Sequence, residues 1–343
     1  MISISVAMAT YNGQKFIREQ LDSLAAQQHL PSELVITDDA SSDKTVAIAQ
    51  QFAKTAPFTV HIHRHDERLG YRANFMRAAS LCTSDVIAFC DQDDVWSPQK
   101  LALCIERFQD PAVLLAHHNA EVVTEAGERL GSLDHLASAP TTPPLSLCAI
   151  GRNMPFALGF TEVFRRSILK FSDLREISLD YNDLTAPMAH DQWVFFIASV
   201  FGRMVYIEKA LASYRQHGSN IFGWNRPSNL LSDFPYLLDN PTSRVDALQQ
   251  SAERCAEILQ KTRWNLTDVW HQRATMGAAR YRFLADLYSA RKRLYTSASF
   301  AARVKAFYRI ASTSGYRPKW RWGLGRQALV RDLCLGLPAG HLL

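Results

Sequence analysis

The first hundred residues alternate between apolar runs typical of buried strands and stretches with the periodicity of helices. The strand-like runs are Ile4–Ala9, Leu34–Thr37, Thr59–His63 and Val86–Cys90, and helical patterns separate them. Strands joined through helices form βαβ units, because neighbouring parallel strands need a long crossover connection. The alternation therefore predicts an α/β fold with a mostly parallel sheet and helices on both of its faces.

Polar residues follow each of these four runs. They are Thr10–Asn12, Asp38–Asp39, Arg64–Arg68 and Asp91–Asp94. In open α/β sheets, ligands bind outside the carboxyl ends of the strands. Because parallel strands point the same way, the four polar ends meet at one edge, and the sequence predicts a single binding site there.

The segment Val86–Trp96 is an apolar run that ends in three aspartates, Asp91, Asp93 and Asp94. Carboxylates held this close repel one another unless a cation lies among them or one of them keeps its proton. Oxygen ligands suit Mg²⁺ or Mn²⁺, and these ions commonly bind together with phosphates. The alternative is an ordinary polar loop, or a helix cap before Pro98.

The composition is that of a folded globular protein with one large core or two domains, since 47% of the 343 residues are hydrophobic and 21% are charged. Its six cysteines include no CxxC pair, which indicates reduced thiols of a cytosol-like compartment rather than disulfides or a zinc ribbon. No signal peptide is apparent, and the apolar runs are too short to span a bilayer. We therefore expect a soluble or peripheral protein.

A modest net charge of +5 hides an uneven distribution. From Arg280 onward, 13 Lys and Arg residues accompany only Asp286 and Asp332, whereas the preceding residues carry 25 basic and 31 acidic residues. Aromatic residues are interleaved with the basic ones, and basic amphipathic helices of this kind bind anionic membrane surfaces. Residues 280–331 are therefore predicted to contact an anionic membrane. A solvated helical face is the alternative, and nothing else in the chain supports nucleic-acid binding.

Later segments add further signals. Gly159 lies between apolar residues, as expected where a backbone approaches another group closely. Asp191 stands at the start of an apolar, helix-like run, Val205–Ile207 has the pattern of a short strand, and Tyr214–Asn220 is predicted to form a polar loop. From about Val245 the pattern is helical.

Six motifs in order and spacing resemble those of the inverting family-2 glycosyltransferases. They are Met8–Gly13 (MATYNG), Ile36–Thr45 (ITDDASSDKT), Arg68–Phe75 (RLGYRANF), Phe89–Pro98 (FCDQDDVWSP), His190–Trp193 (HDQW) and Tyr214–Asn220 (YRQHGSN). Each motif alone is weak, but together they cover residues 2–222. Within the family, this combination is most similar to bacterial rhamnosyltransferase-type members that build surface polysaccharides.

The resemblance implies a Rossmann-like GT-A domain over residues 1–225, with a nucleotide-binding half (1–110) and an acceptor-binding half (111–225). Residues 226–343 would form a helical basic extension. The donor would be a nucleotide-diphosphate sugar, dTDP-rhamnose or a UDP-sugar, and the acceptor a glycan or lipid-linked glycan. Such an enzyme would be cytoplasmic and peripheral on the inner face of the cytoplasmic membrane.

The resemblance also implies roles for the polar strand ends. Asp93 would be the direct ligand of Mg²⁺ or Mn²⁺, with Asp91 also at the metal. Asp91 or Asp94 would lie near the ribose or the metal's waters, and His217 would close on the diphosphate or the metal. Tyr11 would stack on a pyrimidine whose N–H donates to an aspartate after the second strand. The full donor-binding set is Thr10, Tyr11, Asn12, Asp38, Asp39, Arg72, Asp91 and Arg215, with the two arginines near the diphosphate.

Asp191 is the candidate general base, because an acceptor hydroxyl that attacks the anomeric carbon must lose its proton. A helix N-cap role also fits its position. Many family members have an acidic residue before this aspartate, whereas this chain has His190, which is either an orienting partner of Asp191 or a solvent-exposed residue.

Other functions remain open at this point. A phosphatase with an aspartyl nucleophile usually has Thr or Val where this chain has Asp94, and a nucleotidyltransferase would need a glycine-rich basic loop where it has Tyr11–Gly13. A catalytically silent sugar-nucleotide scaffold is the non-enzymatic alternative. The alternating histidines His61–His65 lack an assisting thiolate for zinc, and His117–His118 are interpreted as polar residues near a strand end.

Overall fold

The computed structural model describes residues 2–133, 141–142, 157–218, 220, 241–261, 267–317 and 324–339. Ten strands and nine α-helices of six residues or more lie within these ranges. The strands are β1 Ile4–Thr10, β2 Glu33–Asp38, β3 Thr59–Arg64, β4 Val86–Cys90, β5 Val95–Trp96, β6 Val113–Thr124, β7 Arg129–Ser132, β8 Thr141–Thr142, β9 Glu162–Arg165 and β10 Arg203–Gln216. The helices are α1 Ile17–Ala25, α2 Thr45–Ala53, α3 Tyr71–Leu81, α4 Lys100–Arg107, α5 His190–Phe201, α6 Pro241–Lys261, α7 Asp268–Thr296, α8 Phe300–Ser312 and α9 Arg326–Arg331.

One sheet runs through the molecule in the order β3-β2-β1-β4-β9-β6-β10-β5. Its first four strands are parallel, as the alternating pattern predicts. The antiparallel strand β9 then joins β4 to β6, and β6 and β10 are again parallel to each other. The carboxyl ends of β1, β2 and β4 therefore meet at one edge, and β9 brings the segment around Gly159 next to them.

Helices cover both faces of the sheet, because successive side chains of a buried strand point to opposite faces. In β1, Val6 and Met8 pack with α1, α2 and α4, whereas Ala7 and Ala9 pack in the core that contains α3 and α5. All seven β1 residues are buried. The predicted fold class, an α/β sheet of GT-A type with a helical C-terminal region, is confirmed.

The C-terminal helices share the core of the sheet domain. Phe196 of α5 lies 5.3 Å from the ring of Tyr281 in α7, and Phe201 stacks on Trp270 at 4.9 Å. Helix α5 is thus buried between the sheet and α7, which explains why its sequence is almost entirely apolar from Trp193 to Phe201, with Ser199 the exception. The predicted domain boundary at residue 225 lies outside the described residues.

Two local predictions about strands are wrong. His117 and His118 lie in the middle of the long strand β6 and are buried, with exposures of 3% and 0%, because β6 has packed neighbours on both faces. Tyr214–Gln216, predicted to start a loop, instead ends β10, where these residues pair with Val122–Thr124 of β6. Within the described ranges, no helix has the length and apolar character to cross a membrane.

Candidate active site

The loop after β4 carries the three predicted carboxylates. Asp94 is buried, and its Oδ2 has no hydrogen-bond partner, while its Oδ1 accepts from the backbone N–H of Arg215 at 3.1 Å. Burial, together with the charges of Asp93 and Asp91, raises the pKa of Asp94 well above its ordinary value. Burial and the charges of Asp93 and Asp191 likewise raise the pKa of Asp91 to about 8. The loop therefore holds more negative charge than its surroundings neutralise.

Lys100, which sequence reasoning missed, lies close enough to this loop to act on its charges. Its side chain is fully buried, its Nζ lies 3.2 Å from the ring centre of Trp96, and it donates to the carbonyl of Phe160 at 2.6 Å. Burial lowers the pKa of Lys100 to about 7, although Asp94 and Asp91 oppose this shift. The local signal was weak, because a lysine in the first turn of a helix is ordinarily solvated.

Gln92 joins the carboxylate loop to the end of β1. Its side-chain amide accepts from the backbone N–H of Tyr11 at 3.0 Å and donates to the carbonyl of Tyr11 at 2.9 Å. A Cβ at Gly13 would lie 2.1 Å from Gln92 Oε1, so only glycine leaves room for this bridge. Two of the predicted strand ends are thus held together by one side chain.

Asp38 is fully buried and organises the turn after β2. Its Oδ2 accepts from Thr10 Oγ1 at 2.8 Å and from Ser41 Oγ at 2.6 Å, and its Oδ1 accepts from the backbone N–H of Ser41. Asn12 has a φ of 45° and accepts from the backbone N–H of Ser42 at 2.9 Å. Thr10, Asn12 and Asp38 are therefore brought together by bonds among themselves and this turn.

Asp39 is 2% exposed and anchors the segment before α3. Its two oxygens accept from the backbone N–H groups of Leu69 at 2.6 Å and Gly70 at 3.0 Å. The guanidinium of Arg68 lies 3.8 Å from the ring centre of Tyr11, so one face of this ring carries a cation–π contact. A contact between either aspartate and a pyrimidine stays a prediction, and both carboxylates already serve the protein's own backbone.

Arg72 is held by two aspartates of the segment between β9 and α5 rather than left free. Its Nη2 lies 2.8 Å from Asp180 Oδ2 and 3.9 Å from Asp183 Oδ2. Asp180 is fully buried and also accepts from the side chain of Gln192 at 3.2 Å. Through Asp180, Arg72 in the first turn of α3 is thus linked to Gln192 in the first turn of α5, next to Asp191.

Asp191 lies in the first turn of α5 and is partly exposed. Burial of its carboxyl raises its pKa to about 7, while the backbone N–H groups of Gln192 and Gly159 donate to it and oppose the shift. A carboxylate whose pKa lies near neutrality is well matched to proton transfer at physiological pH. The charge of Asp191 also raises the pKa of Asp91, so the candidate base lies within electrostatic range of the carboxylate loop.

His190 is buried, so its interpretation as a solvent-exposed residue is wrong. Its ring stacks on Phe75 at 3.9 Å and meets Phe89 edge-on at 4.7 Å. Burial lowers the pKa of His190 to about 3. A Cβ at Gly159 would lie 2.5 Å from His190 Nε2, which confirms the expected close backbone approach at this glycine.

Glu162 is a second residue that sequence reasoning missed. It is fully buried at the start of β9, neither oxygen has a hydrogen-bond partner, and burial with the charge of Asp191 raises its pKa well above the ordinary value. In the strand register it faces His117, whose Nδ1 also lacks a partner. Its apolar neighbours gave the position the pattern of an ordinary buried strand.

Arg215 and His217 close the site from the end of β10. Arg215 donates to the carbonyls of Asp93 at 2.9 Å and Glu125 at 2.8 Å, and its Nη2 lies 2.5 Å from Glu19 Oε2. These bonds make Arg215, as placed here, a support of the carboxylate loop, and its contact with a diphosphate stays a prediction. His217 Nε2 lies 2.8 Å from Asp93 Oδ2.

The carboxylate loop has the chemistry of a divalent-cation site. Asp94 Oδ2 is a buried acceptor without a partner, and burial together with the nearby charge of Asp93 raises the pKa values of both Asp91 and Asp94. Both features are those of carboxylates that lack a counter-ion. Across the described ranges, however, no three His, Cys, Asp or Glu side chains converge as a ready-made metal cage. His61 and His63, which are exposed on β3, likewise belong to no such group of potential metal ligands among the described residues.

Comparisons with known proteins identify the family of this chain. Residues 5–171 match the family described as Glycosyl transferase family 2. The dTDP-rhamnosyl transferase RfbG of Shigella flexneri is 36% identical over 223 residues, which cover 64% of this chain and 74% of that protein. An uncharacterized glycosyltransferase of Nostoc sp. is 25% identical over 323 residues, 87% of this chain and 94% of that protein.

Solved structures share the fold. The crystal structure of S. aureus TarS 1–349 superposes with a TM-score of 0.56 at 16% identity, covering 99% of this chain and 90% of that one. Its complex with UDP-GlcNAc gives 0.54 at 17% identity, covering 92% and 93%. The fold and the polar edge of the sheet thus define a GT-A enzyme. The chain belongs to glycosyl transferase family 2, and the protein is a glycosyltransferase.

Proposed function

We propose that this enzyme transfers a sugar from a nucleotide-diphosphate donor to a hydroxyl of a glycan or lipid-linked glycan, with inversion at the anomeric carbon. The observation that carries the proposal is Asp191 in the first turn of α5, whose carboxylate acts electrostatically on Asp91 at the carboxyl edge of the sheet and has a pKa of about 7. One carboxylate facing the donor is sufficient for inversion by a single displacement.

In this mechanism Asp191 accepts the proton of the acceptor hydroxyl as its oxygen bonds to the anomeric carbon. The backbone N–H groups of Gln192 and Gly159 hold the carboxylate in place during the transfer. The bond between the anomeric carbon and the diphosphate oxygen breaks in the same step, and the leaving diphosphate departs toward the carboxylate loop. Arg72, fixed by Asp180, would offset part of its charge.

The donor half would bind the nucleotide between the ends of β1 and β2. Tyr11, with Arg68 on one face of its ring, is the proposed base platform. Thr10, Asn12, Asp38 and Asp39 shape that pocket by fixing its turns, and Asp39 is the proposed acceptor from the pyrimidine N–H. Thymine and uracil present the same N–H and carbonyl pattern, so this pocket accommodates both bases.

We propose Mg²⁺ or Mn²⁺ as the cofactor, held by Asp93 with Asp91, and by His217 at the end of β10. A divalent ion held there would supply positive charge to offset the charge of the departing diphosphate. The unpaired oxygen of Asp94 and the raised pKa of Asp91, both in the same loop as Asp93, support a cation at this loop.

The rhamnosyltransferase RfbG from S. flexneri supports dTDP-rhamnose as the first donor to test. We therefore propose a role in bacterial surface polysaccharide synthesis, in the cytoplasm and at the inner face of the cytoplasmic membrane. The region 280–331 would provide the membrane contact. A catalytically silent scaffold is the main alternative, and the joint presence of Asp93, Asp191 and His217 argues against it.

A panel of dTDP- and UDP-sugars, tested by thermal shift with and without Mn²⁺, measures donor binding first. The best donor is then incubated with glycan acceptors, and NMR coupling constants give the anomeric configuration of the product. Inversion that requires Asp191 would support the proposal. A donor that binds but is never transferred or hydrolysed would favour the scaffold, and retention of configuration would exclude the proposed mechanism.

A further inference from the structure

The basic C-terminal region uses many of its charges inside the protein. Arg291 and Asp332 form an ion pair at 2.8 Å, and Asp332 is fully buried. Lys292 lies 2.6 Å from Asp246. Arg303 is buried, and its guanidinium donates to the carbonyls of Leu337, Ser297 and Ala298. The excess of basic residues in the sequence therefore overstates the charge that a partner could meet.

The aromatic residues divide in the same way. Tyr295 and Tyr316 donate their hydroxyls to Asp332 at 2.8 and 3.0 Å, so both serve the interior. Phe300 and Tyr308 of α8 are instead 59% and 71% exposed. Trp320 and Trp322 lie outside the described residues.

Helix α8 presents an apolar stripe to the outside. Phe300, Val304 and Tyr308 are spaced four residues apart, so they lie on one face of the helix, and all three are exposed. The opposite face buries Ala306 and Ile310 against α7. This helix is thus packed on its inner side and still carries large apolar side chains on its outer side.

Cations border this stripe. Lys305 and Arg309 follow Val304 and Tyr308 by one residue each and are exposed, and α8 contains no acidic residue. The neighbouring acid is Asp286 of α7, which lies 4.0 Å from Arg309 across a solvent-exposed pair. Exposed pairs of this kind contribute little attraction. The outer face of α8 therefore keeps its positive character.

We infer that the outer face of α8 is a membrane-docking surface, in which Phe300, Val304 and Tyr308 enter an anionic lipid surface and Lys305 and Arg309 contact its headgroups. This inference rests on the proposed function, because it names the residues that would hold the enzyme at the membrane. Aromatic and aliphatic side chains beside basic ones are the composition of helices that lie in the interface plane.

The size of the stripe favours lipid over a second copy of the chain. Three side chains of these sizes and exposures present on the order of 300 Å² of surface, since a large aromatic side chain has about 150–250 Å² in total. A stable protein interface buries roughly 800 Å² on each partner. Shallow insertion into a bilayer, aided by charge, needs no such area.

The test compares three variants of the full chain by co-sedimentation with phosphatidylcholine vesicles, with and without phosphatidylglycerol. The double variant Phe300→Ser/Tyr308→Ser removes the apolar contact, and Lys305→Gln/Arg309→Gln removes two charges. The control, Val269→Ser/Met276→Ser, changes two side chains of similar exposure, 54% and 53%, near the other end of α7. Thermal shift with the nucleotide-sugar donor measures the donor site separately in each variant.

We expect Lys305→Gln/Arg309→Gln to bind phosphatidylglycerol vesicles at least roughly fivefold more weakly than the wild type, the effect of losing even one such charge. The serine variant should lose at least as much, because it removes the two most exposed apolar side chains of the stripe. The control should bind like the wild type, and donor binding should be unchanged in all three. Equal binding by wild type and both α8 variants would overturn the inference, as would a dimer in solution that the serine variant converts to monomers. If the wild type itself showed no donor binding, that result would instead count against the proposed function.

Discussion

His217 Nε2 lies 2.8 Å from Asp93 Oδ2, so the end of β10 is joined directly to the carboxylate loop after β4. The ring of His217 also stacks on Phe16 before α1, at 4.7 Å. Arg215, two residues earlier, donates to the carbonyl of Asp93 at 2.9 Å. Residues at the end of β10 therefore contact both the side chain and the backbone carbonyl of Asp93. These contacts hold the carboxylate at the edge of the sheet where the donor is proposed to bind.

The first prediction concerns the cation at this carboxylate. Asp93→Asn should reduce donor turnover by roughly 100-fold or more, because a divalent ion contributes several kcal/mol of charge stabilisation to a departing diphosphate. Turnover is measured across a Mn²⁺ titration and after chelation. Asp22→Asn serves as the control, because Asp22 is exposed on α1 and pairs with Arg18. Full activity of the wild type in excess chelator would contradict metal dependence.

The second prediction concerns the base. Because the pKa of Asp191 is about 7 and the ionised form accepts the proton, kcat should fall about tenfold per pH unit below that value. A bound cation nearby would move this limb to lower pH, because it favours the ionised carboxylate. Asp191→Asn should lose roughly 100- to 10,000-fold in kcat and keep its donor affinity. If Asp191→Asn instead lost donor affinity and kept its turnover, Asp191 would be a structural helix cap and not the base.

The third prediction concerns stability. The folded-state pKa of Asp91, about 8, lies above the ordinary value near 4, so the folded protein holds this proton more tightly than the unfolded chain does. Its contribution to stability is complete below about pH 4 and is lost as the pH rises through 8. Asp91→Asn should therefore raise the melting temperature of the metal-free protein at about pH 8 and leave it nearly unchanged at about pH 4.

The comparison must be made between wild type and variant at each pH. The pKa values of the buried histidines His117, His118 and His190 are lowered by burial, so they destabilise the fold as the pH falls below about 6.5. Both proteins share that effect, and the difference between them isolates Asp91. Because Asp91 is partly exposed, solvent screens the repulsion, and the difference should be on the order of 1–2 kcal/mol. Equal melting temperatures of the wild type and Asp91→Asn at about pH 8 would contradict the raised pKa of Asp91.

The fold and the edge that carries the site follow from the sequence, because both depend on local patterns. Strand and helix periodicities give β1 to β4, and polar residues at the strand ends identify Asp91, Asp93 and Asp94. The interior charges do not follow in this way. Lys100 and Glu162 stand in patterns of ordinary helix and strand residues, and only the packing of distant segments buries them.

The basic C-terminal region also shows what the sequence alone does not predict. Its charge was evident in the sequence, but the ion pair between Arg291 and Asp332 joins residues 41 positions apart, and the bonds of Arg303 reach the carbonyl of Leu337. Tertiary contacts at such separations have no local signature. Composition therefore predicts a basic surface, whereas the structure shows which of its charges are already paired inside the protein and which, such as those of Lys305, remain exposed.

The last prediction tests how Asp191 is positioned. Gly159→Ala would place a methyl group 2.5 Å from His190 Nε2, and the His190 ring cannot retreat easily because it stacks on Phe75 at 3.9 Å. We expect the variant to lose about 1–3 kcal/mol of stability through overpacking, and to lose kcat more than donor affinity, because Asp191 is the next residue and accepts from Gly159. In a His190→Ala background the clash is absent, so adding Gly159→Ala should cost much less. Unfolding free energies and kcat of the four proteins complete this cycle. Equal costs in both backgrounds would show that Gly159 acts through its own backbone conformation and not through His190.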